Sequence, residues 1–150
     1  MCMHQSISVT DLPCACTTMR KATRALSRLY DDTLAPLGVT VAQFGVLKAI
    51  WREPDVALSR LADEMVMDRT SLYRMLTPMT SAGWIAIASP TKGRAKTVAL
   101  TTEGQSLLIK ARQLWDDAQT RVVGTYGAER WQVLESAISE LTRLSVGLNA

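Results

Sequence analysis

The stretch 58–101 constrains this chain more than any other. It reads LSRLADEMVMDRTSLYRMLTPMTSAGWIAIASPTKGRAKTVALT. Leu58, Leu61, Ala62 and Met65 recur at helical spacing, a break falls at Val66 and Met67, and Asp68 stands where an N-cap accepts backbone N–H groups. Leu72, Met75, Leu76 and Met79 then fall on one face of a second helix, while Arg69, Thr70, Tyr73, Arg74 and Thr77 fall on the other. Pro78 removes one helical hydrogen bond, so a bend is expected there, and Gly83 suits the left-handed residue that ends a helix. Two alternating runs follow, carrying Ile85 and Ile87, then Val98 and Leu100. They are joined by the polar turn Pro90-Thr91-Lys92-Gly93-Arg94. Short helix, tight turn, second helix and basic-tipped hairpin describe a winged helix-turn-helix, a shape that sets one helix in a DNA groove and a hairpin beside it.

Charge agrees with that reading. The net charge of the 150 residues is only +3. The stretch 58–101 holds six basic residues (Arg60, Arg69, Arg74, Lys92, Arg94, Lys96) against three acidic ones (Asp63, Glu64, Asp68), leaving eleven of each sign elsewhere. The whole positive excess therefore sits on the expected reader, as an electrostatic footprint for phosphate requires.

The flanks read as helices that hold this unit. Residues 14–37 carry Met19, Ala22, Leu26, Leu29 and Tyr30 in one stripe, closed by Pro36 and Gly38. Thr40 with Gln43 makes a capping box for a helix that buries Phe44, Leu47 and Ile50 or Trp51 and stops before Pro54. Residues 55–57 suit a very short strand that could pair with the hairpin. Thr102 with Gln105 is expected to cap a long helix to about Val123, which Gly124 and Gly127 break. The last helix, from about Ala128, repeats Trp131, Leu134, Ile138, Leu141, Ser145 and Leu148 in alternating three–four spacing, the pattern of a packing seam. The expected organisation is one mainly α domain over 1–150, with a winged helix-turn-helix lobe at 40–101 and helices at 14–37 and 102–150 for dimerisation.

In a helix that enters the major groove the N-terminal residues meet base edges, here Arg69, Thr70, Ser71, Tyr73 and Arg74, with Thr77 farther along. Arginine pairs bidentately with guanine, and hydroxyls serve bases or phosphates. Arg94 suits an A·T-rich minor groove, while Lys92 and Lys96 suit phosphates. Without the basic hairpin, the same polar face would read as an ordinary solvated side of an amphipathic helix.

The segments MDRTSLYRMLTPMTSAGWI and GRAKTVALTTEG resemble the MarR family of bacterial transcriptional regulators, and the likeness extends over nearly the whole chain, including LAPLGVTVAQFGVL. The resemblance implies a homodimer built from interlocked terminal helices, with Trp131, Leu134, Ile138 and Leu141 at its seam. It also implies double-stranded DNA with a pseudo-palindromic operator as partner, and repression relieved by a small-molecule effector or by oxidation. Two departures stand out. The family often has an aspartate two residues before the wing-tip arginine, where this chain has Lys92. The turn of the helix-turn-helix often holds glycine, where this chain has Val66; that turn is expected to avoid a left-handed conformation.

Cys2, Cys14 and Cys16 are odd in number and bunched at one end, unlike a secreted disulfide framework, so a reducing cytoplasm is expected. Cys16 is placed like the reactive thiol of the family's peroxide-sensing branch, although the positions matching that branch's tyrosines are Arg20, Val41 and Phe44. Arg20 could lower its pKa and Cys14 could resolve it; the alternative is two small residues at an interface. An effector pocket between the dimer helices and the reader would draw on Trp51, Met19 and Tyr30, which otherwise read as core. An enzyme is disfavoured. The one histidine, His4, lies in the N-terminal arm, the pairs Asp31-Asp32 and Asp116-Asp117 diverge around their helices, and neither a phosphate loop nor a metal-ligand cluster appears, so no catalytic residue, cofactor or metal is expected. No apolar run approaches the ~18 residues of a membrane span, and no signal peptide is read at the start. The remaining rival is a winged helix used for protein–protein contact, which would tend to lose the basic face and wing.

Overall fold

The computed structural model describes residues 8–89, 93 and 95–150. Residues 1–7 of the N-terminal arm, with Cys2 and His4, and the wing-tip residues Lys92 and Arg94 lie outside the described residues, while the rest of the arm holds a 3-10 turn, Val9–Asp11. Helix α1 (Ala15–Leu34) ends in a 3-10 turn, Ala35–Leu37, that Gly38 closes at φ 67. Helix α2 (Val41–Arg52) starts on the expected capping box: the Thr40 hydroxyl accepts from the Gln43 N–H, and Gln43 Oε1 accepts from the Thr40 N–H. Strand β1 (Val56–Ala57) leads straight into α3 (Leu58–Glu64), and α4 (Arg69–Ser81) follows the turn, running through Pro78. Strands β2 (Ile85–Ala88) and β3 (Thr97–Leu100) form the wing, and β1 adds to β3 to give an antiparallel sheet of order β1-β3-β2. Val98 sits at its centre, opposite Val56 on one side and Ile87 on the other, and is fully buried. Helices α5 (Thr102–Tyr126) and α6 (Ala128–Leu148) complete the chain.

The core centres on α2, α3, α4 and the sheet, with α1 and α5 contributing Leu34 and Ala111. Phe44, Leu47 and Ile50 of α2, Leu61 of α3, Leu72, Leu76 and Met79 of α4, and Val98 of the sheet pack as one cluster that Leu108 and Ala111 of α5 join. Burial of each large member contributes about 1.5–3 kcal/mol, so the reader is fixed by its own core. Helix α1 is tied on by aromatic contacts. Trp115 of α5 stands 6.5 Å from Tyr30 and 5.9 Å from Phe44, centroid to centroid, and the Tyr30 hydroxyl donates to Gln119 at 2.5 Å.

Several local expectations are corrected. Thr101, one residue earlier than expected, caps α5: its hydroxyl accepts the Gly104 N–H at 3.0 Å and donates to the Gly83 carbonyl at 2.5 Å. Its N–H also donates to the Trp84 carbonyl, so the cap fastens α5 to the start of the wing. Gly104 is required there, since a Cβ would stand 1.9 Å from the Trp84 oxygen. Helix α5 passes through Gly124 and stops only at Gly127, φ 103. A glycine inside a helix costs only about 1 kcal/mol, whereas a backbone that leaves the helical region, as at Gly127, ends the helix outright.

The larger correction is Val66. It is left-handed, φ 51, where the sequence was expected to avoid that conformation. Its N–H donates to the Asp63 carbonyl and the Met67 N–H to the Ala62 carbonyl, the paired bonds of a Schellman ending. Helix α4 ends the same way, through Gly83 N–H to Thr80 and Trp84 N–H to Met79, with a glycine at φ 77 in the equivalent place. Two helices use one ending, and at the first a β-branched residue occupies the position that glycine fills without strain.

Candidate nucleic-acid interface

Asp68 organises the reading helix. Its carboxylate accepts the Ser71 N–H at 2.9 Å and the Ser71 hydroxyl at 2.6 Å. These bonds, the hydroxyl's first, hold the Asp68 pKa below the usual aspartate range. Ser71, expected as a DNA contact, therefore has its hydroxyl proton committed to the cap and is partly buried. Arg69, Thr70, Tyr73, Arg74 and Thr77 are exposed on the outer face as expected. Thr77 donates back to the Tyr73 carbonyl at 2.8 Å, which leaves its oxygen free only to accept.

The wing meets this face through Lys96. Its carbonyl accepts the Leu58 N–H at 3.0 Å, tying β3 to the start of α3, while its ammonium lies 5.9 Å from the Tyr73 ring centroid. Arg69, Tyr73, Lys96 and Ser59 thereby line one small open cleft between α3, α4 and the wing. Exposed donors and two cations converging on one cleft can grip a phosphate oxygen and leave the α4 face free for base edges. Ser59 is not legible as a site residue in the sequence, because only the pairing of β1 with β3 brings α3's first turn beside Lys96. The expected tip contacts Lys92 and Arg94 lie outside the described residues.

A second cleft, of about 470 Å³, opens between α2 and α5. Phe44 and Trp115 form its apolar floor, Trp51 stands 54% exposed at its edge, and Lys48, Arg52 and Arg112 surround it. The three residues expected as core or pocket lining separate here. Tyr30 is core, Trp51 lines this cleft rather than the core, and Met19 faces a different groove shared with Ile138 and Leu141. The Lys48 ammonium lies 4.6 Å from the Trp115 centroid and 5.6 Å from that of Phe44. Burial first, then the charges of Arg52 and Arg112, hold its pKa below the ordinary lysine range, with Asp116 acting the other way.

Cys14 and Cys16 are exposed free thiols at the start of α1. Cys14 is the N-cap residue, and bonds from Thr17, its backbone first and then its side chain, lower the Cys14 pKa. Trp131, Leu134 and Ile138 are only partly buried and Leu141 is 39% exposed; no residue of α6 is buried. Among the described residues no His, Cys, Asp and Glu side chains gather to hold a metal, and no single helix is long and apolar enough to cross a membrane.

Comparison with known proteins finds no matching family model. The multiple antibiotic resistance protein MarR of Escherichia coli (strain K12) is 33% identical over 88 residues, 58% of this chain and 61% of that protein, so the match spans less than two thirds of that relative. Solved structures match over greater lengths. The M. tuberculosis transcriptional regulator MosR in complex with DNA superposes with TM-score 0.84 at 32% identity, covering 92% of this chain and 100% of that one. A cysteine-to-serine mutant of E. coli MarR complexed with operator DNA superposes with TM-score 0.77 at 25% identity, covering 91% and 99%.

Proposed function

We propose that this chain, which belongs to the MarR family of winged helix-turn-helix transcriptional regulators, represses transcription by binding a pseudo-palindromic operator as a homodimer, and that a small molecule releases it. The observation that carries the reading is the union of the exposed polar face of α4 with the Arg69–Tyr73–Lys96 cleft at the foot of the wing. The MosR and MarR structures with DNA support it, as does the positive excess of 58–101. Arg69, Thr70, Tyr73, Arg74 and Thr77 read bases or adjoining phosphates. Ser71 acts mainly through the cap and the backbone near it. Lys92, Arg94 and Lys96 supply wing contacts. Helices 14–37 and 102–150 pair the two copies, which sets the two reading helices ~34 Å apart on the DNA. The cytoplasm is the compartment this reading assigns, and the free thiols favour it.

Selection of bound sequences from genomic DNA identifies the operator, and shift assays on it test the residues. Arg69→Ala or Arg74→Ala is expected to lose ~1–3 kcal/mol of discrimination between operator and unrelated DNA. Lys96→Ala is expected to weaken both equally and to reduce the salt slope by about one. Unchanged specificity in both arginine variants refutes the base-reading assignment. Binding that ignores salt would favour a protein–protein role.

A second reading has one specific observation behind it: the lowered thiol of Cys14 at the head of α1, with Cys16 nearby in sequence. An exposed thiol whose pKa is lowered is a site for oxidant sensing. Peroxide treatment is then expected to weaken operator binding, and Cys14→Ser to abolish that response. Full operator affinity after peroxide sinks this reading and leaves the first intact.

A further inference from the structure

Tyr73 differs from the other residues of the reading face in what its side chain meets. It is 40% exposed, and its ring lines the cleft at the foot of the wing together with Leu58 and Ala95. The Lys96 ammonium stands 5.9 Å from the centroid of that ring, inside the ~6 Å reach of a cation–π contact. Among the described residues the ion pairs are Arg52–Glu64 and Arg60–Glu53, so no carboxylate holds this ammonium. The backbone of Lys96 is anchored, since its carbonyl accepts the Leu58 N–H at 3.0 Å and Thr97 begins β3 directly after it. Its long side chain is flexible by nature, and the ring is what gives it a direction. An exposed lysine without such a guide samples many rotamers, and ordering it on a phosphate then costs binding free energy. Arg69, at the start of α4, and Ser59, in the first turn of α3, line the same cleft, and both are exposed.

We propose that Tyr73 is a positioning residue: its ring holds the Lys96 ammonium beside Arg69 and Ser59, so that one DNA phosphate is gripped between the wing and the reading helix. The proposal rests on the DNA-binding reading above and gives Tyr73 a part in it that acts through Lys96. An aromatic face attracts a cation through its quadrupole without neutralising it, so the full charge remains for the phosphate. A carboxylate in the same place would orient the lysine and cancel its charge at once. The face also takes no directional hydrogen bond, which leaves the N–H groups of the ammonium free for phosphate oxygens. Position explains why the contact matters. Tyr73 sits on α4, whose start is fixed by the Asp68 cap, and Lys96 sits at the foot of the wing, which the Leu58 N–H ties to α3. The contact therefore spans two elements that meet DNA separately, and it couples the seating of one to the seating of the other. A phosphate carries no sequence information, so this part of the grip adds affinity on any duplex.

The test uses the full chain with its selected operator and an unrelated duplex, and compares Tyr73→Leu, Tyr73→Phe, Lys96→Gln and the variant carrying both Tyr73→Leu and Lys96→Gln. Tyr73→Leu is expected to weaken binding roughly two- to fivefold, the worth of an exposed cation–π contact, and by the same factor on both DNAs. Tyr73→Phe, which keeps the ring, should retain most of the affinity. In the Lys96→Gln background Tyr73→Leu should cost nothing further, which is the coupling a double-mutant cycle reads. In the DNA-free protein the ring current should move the Lys96 ε-methylene protons upfield in the wild type and in Tyr73→Phe. In Tyr73→Leu they should return to the ordinary lysine position. A loss that persists undiminished in the Lys96→Gln background overturns the proposal, since a base contact or a general loss of folding stability behaves that way. A loss in Tyr73→Phe as large as in Tyr73→Leu overturns it in favour of the phenol itself on phosphate. Methylene protons that Tyr73→Leu leaves unmoved overturn it whatever the DNA results. A wild-type chain that binds neither DNA at low salt overturns the DNA-binding reading and the phosphate grip with it, while an upfield shift would still show the ring holding Lys96.

Discussion

A single carboxylate decides how the reading helix begins. Asp68 takes both the N–H and the hydroxyl of Ser71, and its folded pKa is lowered by them. The sign follows from that direction. The stabilising effect of its charge is fully present above the ordinary aspartate value of about 3.9 and is lost as pH falls through the lowered folded value. Thermal unfolding from pH 6 down to pH 2 should therefore show a loss in the wild type that is shallower in Asp68→Asn, whose amide oxygen still accepts from Ser71 without titrating. Parallel pH profiles would remove the cap from the argument. The cap was legible because N-capping is local chemistry over three residues, and the Thr40–Gln43 box was legible for the same reason. Arg52–Glu64 was not, because nothing within the intervening segment signals that α2 and α3 bring those side chains together. Ser71 misled for a related reason: a hydroxyl at the third helical position suits the cap and the groove equally, and only geometry shows which one holds its proton.

Elements were legible where periodicity was strong and blurred where a single backbone angle decides. The helix-turn-helix, the three-stranded arrangement with its short β1, and the long terminal helices follow from apolar spacing and turn residues. Three boundaries did not. Thr101 and Thr102 are equally good caps by type, and the choice was made by the Gly83 carbonyl, 18 residues away. Gly124 and Gly127 are equally good breakers by type, and the helix passes the first and ends at the second, where φ is 103. Residue preference argues against a left-handed Val66, yet the two Schellman bonds that end α3 go with that conformation. That strain gives a prediction. A left-handed conformation costs an ordinary L-residue about 1–2 kcal/mol, and glycine gives back roughly 0.5–1 kcal/mol in chain entropy. Val66 is 59% exposed, so little burial is lost. Val66→Gly should stabilise the protein by about 0.5–1 kcal/mol, a rise in Tm of roughly 2–3 °C for a domain of this size. A lower Tm would mean that Val66 contributes packing that its exposure conceals.

At the scale of the molecule the question is what covers α6. Helix α6 buries nothing fully, although Leu144, Val146 and Leu148 are exposed alongside the partly covered Trp131, Leu134 and Ile138. Helix α1 is also largely exposed up to Leu26, itself 36% exposed. A helix of 21 residues whose apolar stripe is nowhere fully buried is the kind of apolar surface that marks a contact with another chain. The same stripe repeats at alternating three–four spacing, which is what a second helix needs, and a second copy of the chain brings one. In the proposed dimer, two-fold symmetry doubles the one reading lobe and sets its spacing on DNA. Leu134→Ala with Leu141→Ala removes two leucines from the middle of that seam. If each costs about 2 kcal/mol at the interface, the dimer dissociation constant rises roughly a thousandfold for the pair. Sedimentation at micromolar concentration should then detect monomer. Operator binding should fall with it and become dependent on protein concentration, while the melting of the lobe, whose core lies elsewhere, changes less. A double variant that remains dimeric at nanomolar concentration, with operator affinity intact, would place the contact between copies on another face.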